Sequence, residues 1–114
     1  MKMINKLYKN LINSIKGLKI ALREHSFLLE IILGIVVIPY VLIVETSIEL
    51  KLLIISVYFL LLAFELLNTS IEKLCDKIIK SYDSDIKIIK DLASASVFII
   101  LLLFLCLTIF TIIW

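Results

Sequence analysis

Hydrophobic positions in this chain fall into three long blocks and one periodic stretch. The blocks cover residues 27–44, 50–67 and 92–114, and each can cross about 30 Å of hydrocarbon as a helix rising about 1.5 Å per residue. The pattern predicts three transmembrane helices. Ahead of them, Ile4, Leu7, Leu11, Ile15, Leu18 and Leu22 recur on one helical face, while Lys2, Lys6, Lys9, Lys16 and Arg23 fall on another. Residues 1–24 are therefore expected to form an amphipathic helix lying in the membrane interface, with its basic side toward anionic headgroups. A signal peptide is not expected, because the apolar positions are spread out and no small-residue cleavage site follows.

Composition narrows the class. With 114 residues, 62% of them hydrophobic, two glycines and one proline, the chain reads as one small all-α integral membrane domain over 1–114 and not as a soluble one. No nucleic-acid partner is expected. Of twelve Lys and Arg residues, six precede the first block and Lys73, Lys77, Lys80, Lys87 and Lys90 lie between the second and third, leaving only Lys51 near the 45–49 turn. The positive-inside rule then puts the N-terminus and a polar 72–91 connection, a solvated loop or a helical hairpin, in the cytoplasm. Cys75 and Cys106 fall on the cytoplasmic side and within the third block, so neither a disulfide nor a metal site is expected of them. Tyr40 and Trp114 read as aromatic-belt residues, and His25 as a lone interfacial histidine.

Candidate chemistry lies at the ends of the blocks. Glu65, Asn68, Thr69, Glu72 and Asp76 share a helical stripe about a quarter of the circumference wide. Glu65 would sit where hydrocarbon gives way to water, and an ionisable residue there suggests function. Glu30, inside the first block, raises the same question. The third block opens on small residues at 93–96, which let helices approach closely in lipid. The ends of the second and third spans should therefore meet near Glu65 and Glu72.

Three motifs carry a resemblance. Residues 65–76 read E-x-L-N-[ST]-[AS]-[IV]-E-x-x-x-D, residues 90–95 read K-D-x-[AG]-[SA]-A, and residues 24–30 read E-x-x-F-x-x-E, preceded by a glycine turn at Lys16-Gly17-Leu18-Lys19. Over nearly its whole length the chain resembles the prokaryotic diacylglycerol kinases, small membrane lipid kinases that include undecaprenol kinases and assemble as homotrimers with shared active sites. The resemblance implies ATP as phosphoryl donor, Mg²⁺ as cofactor, a membrane lipid as substrate and a bacterial inner-membrane location. It casts Glu65 as general base, Asn68 as an orienting group, and Glu24 and Glu72 as Mg²⁺ ligands. It also casts Lys90 as the phosphate-neutralising lysine and Asp91, Tyr82 and Asp83 as nucleotide contacts, with Glu30 and Ser94 lining the lipid pocket. Lys6 stands where the family commonly has arginine, keeping a phosphate-contacting charge without the bidentate fork. Leu28 replaces a commonly basic position.

With Gly17 and Gly34 its only glycines, the chain has no glycine-rich phosphate loop, so metal and charged side chains must position the nucleotide. The resemblance favours diacylglycerol as substrate, because Glu30 matches the glutamate of the diacylglycerol kinases where undecaprenol kinases tend to show an Asn and His pattern, with undecaprenol the close rival. Two readings from other classes compete. A small proton-coupled multidrug transporter would need four spans, and a non-enzymatic scaffold leaves the shared acidic stripe unexplained.

Overall fold

The computed structural model describes residues 1–114 and consists of four helices: α1 (Lys2–Ala21), α2 (His25–Ile43), α3 (Ile48–Ile78) and α4 (Ser84–Ile113). Three of them, α2, α3 and α4, are long and apolar enough to cross a membrane. The four spans required by the transporter reading are not present. The amphipathic α1 meets the others mainly through its C-terminal end, where Ala21 is buried, while Ile4, Leu7, Leu11 and Leu18 stay exposed. Such an apolar face, unpartnered within the chain, suits a helix lying in a lipid interface.

Local side-chain chemistry sets two of the four helix starts. Ser47 caps α3 by accepting from the Leu50 N–H at 3.2 Å, and Asp83 caps α4 by accepting from the Asp85 and Ile86 N–H groups at 3.0 and 3.1 Å. One open alternative is resolved and one expectation changes. The 72–91 connection is mostly helix: α3 runs on to Ile78 and α4 starts at Ser84, leaving residues 79–83 to make the turn. Polar side chains here do not break the helices, because α3 at 31 residues is about 46 Å long and its last turns project beyond the hydrocarbon. The expected glycine turn is likewise absent, since Gly17 lies inside α1 and no glycine has a positive φ. The chain turns instead at residues 22–24, where Arg23 and Glu24 N–H groups donate to the carbonyls of Ile20 and Ala21.

At the centre of the bundle α3 packs against α4 and α2. Val41, Ile54, Leu61 and Phe104 are fully buried, with Val57, Tyr58 and Val97 around them. Most other large apolar side chains on the spans point outward, as they do when lipid or a neighbouring subunit replaces water. At the far end, the Tyr40 and Thr111 hydroxyls meet at 3.0 Å, tying α2 to α4. Pro39 sits within α2, a placement that membrane helices tolerate.

One contact ties the core to the polar cleft. The Tyr58 hydroxyl donates to the Glu30 backbone carbonyl at 2.9 Å, and its ring fills the place where a Cβ on Gly34 would stand. Gly34 is thus the gap in α2 that admits Tyr58. Gly34→Ala should destabilise the bundle by about 1–3 kcal/mol through overpacking, read as a lower unfolding temperature in detergent. An unchanged temperature would show that the ring moves aside freely.

Candidate functional site

A cleft of about 520 Å³ opens between α2, α3 and α4. On its α3 side stand Glu65, Asn68 and Glu72, spaced by three and four residues and therefore stacked along one helical face. Their exposure is graded: Glu65 is 4% and Asn68 7% exposed, whereas Glu72 is open to the surroundings. The face runs from protein interior to rim within two turns. From α2 comes Glu30, whose carboxyl group lies within hydrogen-bonding reach of Glu65. From α4 comes Ser94, with Val97, Phe98 and Leu101 forming an apolar wall.

The polar groups are only partly satisfied. Asn68 Nδ2 donates to Glu72 Oε1 at 3.2 Å, while Asn68 Oδ1 and Glu30 Oε2 are buried with no donor. Unpaired buried oxygens are uncommon in folded proteins and call for an explanation such as a ligand. The Glu72 carboxylate and the free amide oxygen of Asn68 beside it are hard oxygen donors, the type that suits Mg²⁺. Even so, no group of three or more metal-ligating side chains is assembled within the single chain.

Further along the α3–α4 seam, Asp76, Tyr82, Asp83, Lys87, Lys90 and Asp91 line a polar groove of about 420 Å³. Asp76 is one turn beyond Glu72 on α3, and Lys90 one turn before Ser94 on α4, so groove and cleft follow one another. The Lys90 ammonium pairs with Asp76 across the seam, and Lys87 pairs with Asp91 at 2.8 Å. These lysines stand on the aqueous first turns of α4, ahead of the apolar run that begins at residue 92. The hydrogen bond that Lys90 donates to the Asp76 carboxylate holds its ammonium above the ordinary lysine pKa, favouring the charged form.

The expected site residues thus divide into groups. The cleft unites Glu30, Glu65, Asn68, Glu72 and Ser94, and the groove unites Tyr82, Asp83, Lys90 and Asp91. Glu24 lines neither. It stands at the N-cap position of α2 without a side-chain capping bond, and its carboxylate pairs with Lys73 at 2.9 Å. Lys6 lies on α1, in a stripe shared with Lys2, Asn5 and Lys9, also outside the cleft.

The sequence pattern described as prokaryotic diacylglycerol kinase matches residues 12–113. The chain belongs to the prokaryotic diacylglycerol kinase family. No curated protein matches it. Family membership makes the chain a multi-pass membrane kinase acting on a lipid alcohol, with ATP implied as phosphoryl donor. Both the cleft and the groove lie within the matched residues, whereas Lys6 precedes them.

For this diacylglycerol kinase family member, reading the sequence missed three side chains. Lys73, Asp76 as the partner of Lys90, and Tyr58 each support a candidate residue from another helix. Only Tyr58 left a trace, since a glycine within an apolar span marks a close approach by a neighbour.

Proposed function

We propose that the chain transfers the γ-phosphoryl group of MgATP to the free hydroxyl of 1,2-diacylglycerol, giving phosphatidic acid and ADP. The observation that carries this reading is the graded face of α3. Glu65 is buried at the apolar end of the cleft, Glu72 is exposed at its rim, and Lys90 follows in the adjoining groove. A lipid hydroxyl approaching from the hydrocarbon side and a phosphate approaching from water would meet between them.

Glu65 acts as general base in this reading. It takes the hydroxyl proton as the lipid oxygen bonds to the γ-phosphorus, and the bond to the β-phosphate oxygen breaks with ADP as leaving group. Asn68 orients Glu72 through its amide and offers its free oxygen. Glu72 would hold Mg²⁺, joined by Glu24 once that carboxylate exchanges Lys73 for the metal. The bound ion supplies charge neutralisation and alignment of the phosphate oxygens. Lys90 stabilises charge on the transferred group, with Asp91, Tyr82 and Asp83 beside it holding the nucleotide. Glu30 and Ser94 face the lipid. A homotrimer with shared sites would bring Glu24 and Lys6, which the chain alone leaves outside the cleft, to a neighbour's cleft. The N-terminus and the 79–83 turn then face the cytoplasm, on the side rich in lysine.

The testing experiment is ATP- and Mg²⁺-dependent phosphorylation of diacylglycerol and of undecaprenol in mixed micelles. Diacylglycerol is expected to be the better acceptor. Faster turnover of undecaprenol would reassign the substrate, because an apolar wall discriminates weakly between hydrocarbon chains. Phosphorylation of neither lipid by a folded protein would overturn the reading.

A pH effect follows from Lys90. Its bond to Asp76 raises its pKa, so the wild type keeps this charge to higher pH than an unpaired lysine would. In Asp76→Asn the pKa falls back, and alkaline loss of activity should begin at lower pH. Coinciding alkaline limbs in the two pH–rate profiles would remove Lys90 as the titrating group.

A further inference from the structure

Of the three ion pairs in the chain, Glu24–Lys73 alone ties the elbow between α1 and α2 to α3. Two features leave the Glu24 carboxylate available for more than this pair. It stands at the N-cap position of α2 yet accepts no capping bond, so its oxygens are not committed to the helix backbone. The pair is also open to water, with Lys73 57% and Glu24 34% exposed, which screens the attraction and lets the partners separate. Lys73 and Glu72 are successive on α3, so their side chains leave the helix about 100° apart. Glu72 lines the cleft, as does Ser26, two residues beyond Glu24. Lys73 lines a separate pocket of about 470 Å³ between α1 and α3, with Gly17, Leu18, Ala21 and Leu66. Glu24 therefore stands at the boundary of two hollows, held by a cation on the α1 side, with Glu72 and Asn68 on the cleft side.

The motif read over residues 65–76 leaves position 73 unrestricted, so the resemblance gives Lys73 no task. A lysine beside a metal–nucleotide site can act in three ways, which differ in sign. As a phosphate contact it strengthens binding of the anionic complex. As a clamp on the elbow it also strengthens binding, by keeping Glu24 near the cleft. As the resting partner of Glu24 it has to be displaced, and it weakens binding by the fraction of time it holds the carboxylate. The geometry favours the third: the ammonium is already engaged with a carboxylate the metal would take, and its side chain lines the α1 pocket and not the cleft.

We propose that Lys73 is the resting counter-ion of Glu24, a built-in cation that withholds this carboxylate until the metal–nucleotide complex arrives and so tempers the affinity for that complex. This rests on the reading of Glu24 and Glu72 as metal ligands. Lys73 is a positioning residue, because it acts through Glu24 and touches neither substrate nor the reacting atoms. An exposed ion pair shifts an equilibrium by up to about fivefold, so the competition delays Glu24 without denying it to the metal.

The test is calorimetric binding of the Mn²⁺ complex of the β,γ-methylene analogue of ATP to the full chain in neutral-detergent micelles, with no lipid acceptor. Wild type, Lys73→Met, Glu24→Gln and the double variant are compared. Methionine keeps an apolar stem against the α1 pocket while removing the charge, and Lys73→Gln takes its place if that variant fails to fold. Lys73→Met should bind the complex about two- to fivefold tighter than wild type. Glu24→Gln should bind it more weakly, and in that background Lys73→Met should bring no tightening. Unchanged or weaker binding by Lys73→Met, with Glu24→Gln weakened, would overturn the inference alone and leave Lys73 as a clamp or a phosphate contact. Tightening that persists in the double variant would overturn it too, since the effect would not pass through Glu24. Glu24→Gln binding as tightly as wild type would sink the metal assignment of Glu24 and the inference with it. A folded wild type that binds no complex would sink the proposed nucleotide site itself.

Discussion

Glu65→Gln is expected to lower the rate of lipid phosphorylation by about 10²–10⁴-fold, the usual contribution of a positioned general base. Glutamine has nearly the same shape, and its amide can donate to the neighbouring Glu30 carboxyl, which Glu65 already meets within hydrogen-bonding reach. The buried site at 4% exposure therefore stays filled, and the variant should fold. Its unfolding temperature in detergent should remain close to that of the wild type while turnover collapses. Removal of a base should lower kcat and kcat/KM together, because the lost interaction belongs to the transition state. Retention of more than a tenth of wild-type activity would mean that another group accepts the proton. Glu72 on the same face would then be the first residue to examine.

Lys90→Ala should lower kcat by about 10²–10³-fold, the typical loss on removing one electrostatic stabiliser of a developing charge. The side chain crosses the seam from α4 to Asp76 on α3, at the end of the cleft where a nucleotide would arrive. Loss of this exposed, solvent-screened ion pair should leave the unfolding temperature in detergent close to that of the wild type, so a large kinetic effect would not reflect unfolding. Lys90→Arg should recover part of the rate, since charge is retained while the geometry of the donor changes. An alanine variant within a few-fold of the wild type would place phosphate neutralisation on Lys87 or on a neighbouring subunit.

Much of the fold was legible because membrane helices announce themselves by long apolar runs. The 1–24 surface helix and all three spans were found, and the meeting of the second and third spans followed from Ala93 and Ser94 at the start of the third block. The choice left open at 72–91, between a loop and a helical hairpin, has a clear cause. Hydropathy marks where hydrocarbon ends but not where a helix ends, and the polar residues after Glu72 simply continue α3 into water. Gly17 misled in a similar way, since a lone glycine in an interfacial helix weakens it by about 1 kcal/mol without breaking it.

Of the candidate site, the stripe Glu65, Asn68 and Glu72 could be read directly because helical spacing is local. The approach of Glu30 to Glu65 could not, because it joins α2 to α3 through packing around Tyr58 and Gly34. The same holds for the pairs Glu24–Lys73 and Lys90–Asp76. Many lysines and acids lie near the 79–83 turn, and nothing in their order along the chain selects these partners.

By itself, the sequence determined a three-span helical membrane protein with a basic surface helix and an acidic face on the second span. Hydrophobic run length, helical periodicity and charge placement are properties of neighbouring residues, and the bilayer turns them directly into structure. Only the tertiary structure decided which polar groups share a cleft, which are already paired, and which buried oxygens lack a donor. Those facts depend on the packing of α2 and α4 against α3, where contacts between residues distant in the chain are set by the fit of side chains such as Tyr58 against Gly34.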